Sequence, residues 1–159
     1  MDNPDWDEYF LDQIPGIAKK SKDPSTKVGA IITGQDHGTR ATGFNGFPRG
    51  VLEDISKFPE RFERPEKYEW IVHAERNAIY YAAKVGVPLD GCIVYVDWLP
   101  CCECARAIIQ SGIKKVVIDA DSASSNSEEL KKRWAIDQAR GTKMFEEAGV
   151  ELIRYTRKK

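Results

Sequence analysis

Histidine is almost missing from this chain, with two residues in 159, and cysteine is limited to four. No apolar run approaches the roughly 20 residues that span a bilayer, so no membrane segment is expected. The opening stretch, MDNPDWDEYF, is acidic and lacks an apolar h-region, which argues against a signal peptide. Neither sign of charge dominates: 24 Lys and Arg stand against 25 Asp and Glu. The basic excess usual in proteins that hold long nucleic acid is lacking, so no polynucleotide partner is expected. A disulfide framework is excluded too, because Cys101, Cys102 and Cys104 are clustered instead of spread along the chain. These absences together point to a cytoplasmic protein with reduced thiols.

What is present fits one folded unit. The chain is 42% hydrophobic and 31% charged, enough for one core and short for two, so a single domain over 1–159 is expected. Trp6 to Lys20 reads as an amphipathic helix that Pro15 should kink or end early. VGAIITG (28–34) and RATGFN (40–45) read as strands joined by the turn QDHG. Residues 46–69 carry three prolines and many charges and read as a long loop with one short helix. Loops of that length in a compact domain are usually functional.

A helix then opens at His73, with Ala74, Ala78, Ile79 and Ala82 on its inner stripe. CIVYVD (92–97) is too apolar to face water and reads as a central strand. The cysteine cluster opens a helix with Ala105, Ile108 and Ile109 inward, ended by Gly112. KVVID (115–119) is a strand and DSASSNSEE (121–129) a polar loop, in which Ser127 can cap the next helix. That helix carries Leu130, Trp134 and Ile136 and continues or restarts through Met144 and Phe145 to Gly149. VELIRY (150–155) is a last strand, and RKK (157–159) reads as a solvated end. The order α-β-β-α-β-α-β-α-β gives an α/β fold, a mixed sheet of about five strands with helices on both faces.

The chemistry concentrates in two short stretches, HAERNAI (73–79) and PCCECARAI (100–108). Cys101 and Cys104 lie three apart at a helix start and can grip one zinc ion. His73 supplies a third ligand, leaving a fourth tetrahedral position open as in catalytic zinc sites. A closed structural site would need a fourth ligand, for which His37 and Cys102 are the spare residues. His37 falls in a turn, and Cys102 points about 100° away from Cys101 around the helix. Cys92 reads as a core residue. Residues two apart on a helix do not face each other. His73 should therefore precede the first turn with non-helical dihedrals, and Glu75 should look back toward the same point. A carboxylate there can take a proton from water and pass it on.

These two stretches, with SKDPSTKVGAII (21–32), GFNGFPRG (43–50) and IIQSGIKKVV (108–117), resemble the deoxycytidylate (dCMP) deaminase family. The resemblance covers most of the chain from about residue 20. It implies a three-layer α/β/α sandwich and the reaction dCMP + water → dUMP + ammonia, which supplies dUMP for thymidylate synthesis. A homo-oligomer, hexamer or dimer, is implied as well, with activation by dCTP and inhibition by dTTP, Mg²⁺ accompanying the effector. Under the resemblance Glu75 is catalytic, and His73, Cys101 and Cys104 hold zinc. The backbone N–H of Ala74 holds the base, and Asn45 contacts sugar or phosphate. Trp98 lines the pyrimidine pocket, because polynucleotide cytidine deaminases carry tryptophan at the same offset. Lys27 and Arg49 are phosphate candidates by type and position. Asn45 has an alternative reading as a left-handed turn residue beside Gly46. Phe44 departs from the family, in which many members have tyrosine. Competing readings are a deaminase of 5-substituted dCMP or of another nucleobase, and a non-catalytic nucleotide-binding regulator on the same fold.

Overall fold

Short runs, most of them rich in Ile and Val, build one sheet. The computed structural model describes residues 3–157, apart from the side chain of Ala123. In it β1 (Gly29–Thr33), β2 (Thr39–Phe44), β3 (Ile93–Val96), β4 (Lys115–Asp119) and β5 (Glu151–Tyr155) lie in the order β2-β1-β3-β4-β5. β1 pairs antiparallel with β2 and β3, whereas β3, β4 and β5 run parallel. Every residue of β1 and β3 is buried, as strands covered on both faces require.

One face is covered by α1 (Trp6–Ala18), whose Phe10, Leu11 and Ile14 pack on Ile31, Ile93, Tyr95 and Val117. The opposite face carries α3 (Ala74–Val85), α4 (Cys102–Gln110) and α6 (Glu128–Ala148). Ala78, Ala82, Ala105, Ile108 and Phe145 there meet Ala30, Ile32, Val94, Val96, Val116 and Ile118. Helices on both faces, as the element order predicted, make the three-layer sandwich that the resemblance implied. Each large aliphatic side chain buried this way contributes about 1.5–3 kcal/mol. Among the described residues no helix is long and apolar enough to cross a membrane.

Glycine brings α3 close to the sheet. A Cβ on Gly43 would lie 2.3 Å from the Ala74 carbonyl oxygen and 2.5 Å from the Ala78 nitrogen. Only a residue without Cβ lets the first turn of α3 rest directly on β2. Asn77 fastens that turn, donating to the Phe44 and Val72 carbonyls at 2.8 and 3.3 Å.

Several sequence expectations need correction. Pro15 does not break α1: the helix runs through it and ends at Ala18, two residues short of Lys20, with Pro15 on its exposed side. The 46–69 loop does hold its expected short helix, α2 (Lys67–Trp70), with a 3₁₀ turn (Pro59–Phe62) in addition. The polar 121–129 segment hides another short helix, α5 (Ala123–Asn126), capped by Ser122. Ser127 does cap α6, accepting from the Leu130 N–H, and α6 is continuous. Ile136 on α6 is exposed at 71%, so it contributes nothing to the core. His37 lies in the expected turn, but its ring is not free there: it stacks on Trp6 at 4.3 Å. Arg157 is not a free end: it pairs with Asp12 and, at 3.0 Å, with Asp119. Lys158 and Lys159 lie outside the described residues.

Candidate active site

Two helix starts converge to build the site. His73 caps α3 with extended dihedrals, φ −68° and ψ 157°, as its spacing from Glu75 demands. Cys101 caps α4 in nearly the same conformation, φ −70° and ψ 167°, and its sulfur accepts from the Cys104 N–H. His73 Nδ1 lies 3.4 Å from Cys101 Sγ and 3.5 Å from Cys104 Sγ. All three potential ligand atoms fall within 4.8 Å of one another. A tetrahedral zinc with ordinary Zn–N and Zn–S bonds separates nitrogen from sulfur by about 3.6 Å. The donor set and its spacing therefore fit zinc. Cys102 stands apart, with Arg106 donating to its sulfur at 3.2 Å. Cys92 is buried in the core.

The electrostatics follow from burial and from the sulfurs. The hydrogen bond from Cys104 holds the Cys101 thiol down to about 3, against its own burial, with His73 adding to the effect. That shared proton and burial push Cys104 well above the usual thiol range. A divalent ion would take the place of the proton, leaving both sulfurs as thiolates. Burial opposes protonation of His73, but Cys101 and Glu75 outweigh it and raise its pKa. Glu75 is buried at 5% exposure, and burial raises its carboxyl above the ordinary glutamate value. Burial opposes the charge of Arg76, but Cys104 beside it outweighs that and raises its pKa, and its guanidinium reaches Glu103 at 3.6 Å.

A pocket opens over this cluster. His73, Ala74, Glu75 and Cys101 line its floor, together with Asn45 and Trp98. Ala74 is the first residue of α3, so its amide has no partner inside the helix. Aromatic rings close the pocket: Trp134 of α6 stands edge-on to Tyr68 at 5.7 Å, to His73 at 6.2 Å and to Trp98 at 6.3 Å. Asn45 is not in a left-handed turn. Its amide ties β2 to the preceding loop, accepting from the Val28 N–H and donating to the Thr26 carbonyl, both at 2.8 Å. One amide hydrogen remains for a ligand.

Lys27 and Arg49 are not among the pocket's lining residues. Lys27 donates to the Ser21 carbonyl, and Arg49 lies over the Tyr81 ring at 5.8 Å. The cations that do line the pocket are Arg64, Lys67 and Arg133. Sequence reasoning missed them, along with Trp134 and Arg76. Only the unusual length of the 46–69 loop pointed toward Arg64 and Lys67.

The family model for the cytidine and deoxycytidylate deaminase zinc-binding region matches residues 4–120. Deoxycytidylate deaminase of Mus musculus is 35% identical over 156 residues, covering 97% of this chain and 82% of the relative. The enzyme of that name from Homo sapiens is 36% identical over 137 residues, covering 85% and 76%. Among solved structures, dCMP deaminase from the cyanophage S-TIM5 in complex with dCMP and dUMP superposes with a TM-score of 0.69. It is 25% identical and covers 98% of this chain and 100% of its own.

Proposed function

Because the chain belongs to the cytidine and deoxycytidylate deaminase family, we propose that it hydrolyses dCMP to dUMP and ammonia. The observation that carries this reading is the convergence of His73, Cys101 and Cys104 within 4.8 Å at the floor of an aromatic pocket that Glu75 also lines. Zinc held by three protein ligands supplies Lewis acidity that makes a water acidic near neutrality. The remaining steps belong to side chains. Glu75, with its raised pKa, takes a proton from the attacking water and gives it to N3 of cytosine. The water oxygen bonds to C4. Glu75 then moves the remaining proton of that oxygen to the exocyclic nitrogen, the C4–N4 bond breaks as the C4 carbonyl forms, and ammonia leaves.

The Ala74 amide and the remaining Asn45 hydrogen hold the base and the sugar, and Trp98 forms the wall against the ring. A small deoxynucleotide is thus the partner. Supply of dUMP for thymidylate synthesis, dCTP activation and dTTP inhibition with Mg²⁺, a hexameric or dimeric assembly, a single domain over 1–159 and a cytoplasmic setting are carried by the sequence and its family resemblance.

Ammonia release from dCMP, CMP, deoxycytidine, dCTP and 5-substituted dCMP, with and without dCTP and Mg²⁺, tests the reading. Preferred turnover of dCMP supports it. Preferred turnover of a 5-substituted nucleotide moves the substrate, and silence from zinc-loaded protein favours the regulator.

A further inference from the structure

Three cations line the pocket, and their partners differ. Lys67 is neutralised internally, 2.9 Å from Asp23 and 2.8 Å from the Ser25 hydroxyl. Arg64 is exposed and spends its guanidinium on neutral oxygens, Tyr68 Oη at 2.8 Å and Thr26 Oγ1 at 3.4 Å. Among the described residues it has no ion pair. Among the described residues Arg133 pairs only with Glu129, one helical turn away, where the two side chains are 30% and 77% exposed. Exposed pairs of this kind contribute little and are readily given up to a better anion. Two guanidinium groups thus line one pocket, one without an ion pair among the described residues and one weakly paired. Their planar forks suit a phosphate, which can accept two hydrogen bonds from each.

Ring contacts fix the two arginines relative to the metal cluster. Arg64 bonds to Tyr68, Tyr68 meets Trp134, and Trp134 follows Arg133 on α6. The whole of α6 lies beyond residues 4–120, the segment that the family model matches. Arg133 therefore lies outside that segment and Arg64 within it. We infer that Arg64 and Arg133 are the specificity-determining pair of this pocket, selecting a ligand with a terminal phosphate over the corresponding nucleoside. The inference rests on the proposed nucleotide reading and deepens it.

Equilibrium binding of dUMP and of deoxyuridine to the zinc-loaded protein provides the test, because it does not depend on turnover. Losing a charge-assisted contact weakens binding by about tenfold or more. Arg64→Ala should weaken dUMP by that factor while deoxyuridine moves less than about threefold, and Arg64→Lys should recover part of the loss. Arg133→Ala should act in the same direction but less strongly, because wild-type Arg133 must first leave Glu129. Equal weakening of both ligands, or no change in either, would overturn the inference. If wild type binds dUMP in an Arg64-dependent way yet deaminates nothing, the catalytic reading fails and the phosphate site stands. If it deaminates dCMP and the variants leave the dUMP-to-deoxyuridine ratio unchanged, the reverse holds.

Discussion

Asp97, at the end of β3, is a buried carboxyl in an unfavourable position. Its Oδ1 has no hydrogen-bond partner, and its backbone carbonyl anchors the following loop by accepting from the Ser122 and Ser125 hydroxyls. Burial, then the charge of Glu75, and to a smaller degree that of Asp119, push the carboxyl from 3.8 up to about 7. The folded state therefore keeps a proton that the unfolded chain has already lost. Stability falls as pH rises from about 4 to about 7 and then levels off. Replacement by Asn removes the ionisation and keeps the shape. Each pKa unit corresponds to about 1.4 kcal/mol, so the two units between pH 5 and pH 7 are worth about 3 kcal/mol. Asp97→Asn should therefore gain about 3 kcal/mol over wild type between pH 5 and pH 8. Urea unfolding of both zinc-loaded proteins at the two pH values measures this difference, and pH effects common to both cancel. An equal stability difference at pH 5 and pH 8 would refute the argument.

Gly43→Ala should force the first turn of α3 off β2 and lower zinc affinity, read by competition with a chromogenic chelator, because its Cβ would meet the Ala74 carbonyl at 2.3 Å. Cys104→Ala should lower bound zinc from about one per chain toward none, read by elemental analysis, because it removes one of three ligands. Lys67→Met should cost about 3–5 kcal/mol in urea unfolding, because it leaves the buried Asp23 carboxylate unpaired. Although burial opposes it, bonding to Lys67 and Ser25 keeps the Asp23 carboxyl below its ordinary 3.8. The stability it contributes is present above pH 3.8 and lost as acid titrates it, so the penalty in the variant should shrink toward low pH.

The metal cluster was legible in the sequence because its geometry is local. H-x-E at a helix start and C-x-x-C after a strand leave few arrangements, and the non-helical dihedrals of His73 followed from spacing alone. The sheet was legible because Ile- and Val-rich runs separated by turn residues have few other uses, although strand ends moved by a residue or two. Lys27 and Arg49 fall outside the pocket lining because closeness to a motif in sequence does not set the face a side chain takes. Arg64, Arg133 and Trp134 were hidden because they reach the pocket only through the path of the 46–69 loop and the docking of α6. Serine-rich residues 122–126 read as a loop because serine favours turns, yet Ser122 uses the same hydrogen-bonding ability to cap α5. Stacking of His37 on Trp6 joins segments 31 residues apart, which no local pattern reports.

Conversion of dCMP to dUMP by zinc-loaded wild type and by Glu75→Gln at matched zinc content is the most direct measurement of the central claim. Proton transfer by a positioned side chain typically contributes 10²–10⁴-fold. Wild type should release ammonia steadily, and kcat of the variant should fall by about that factor, with dCMP still bound. Equal turnover by the two proteins, or none by wild type, would contradict it.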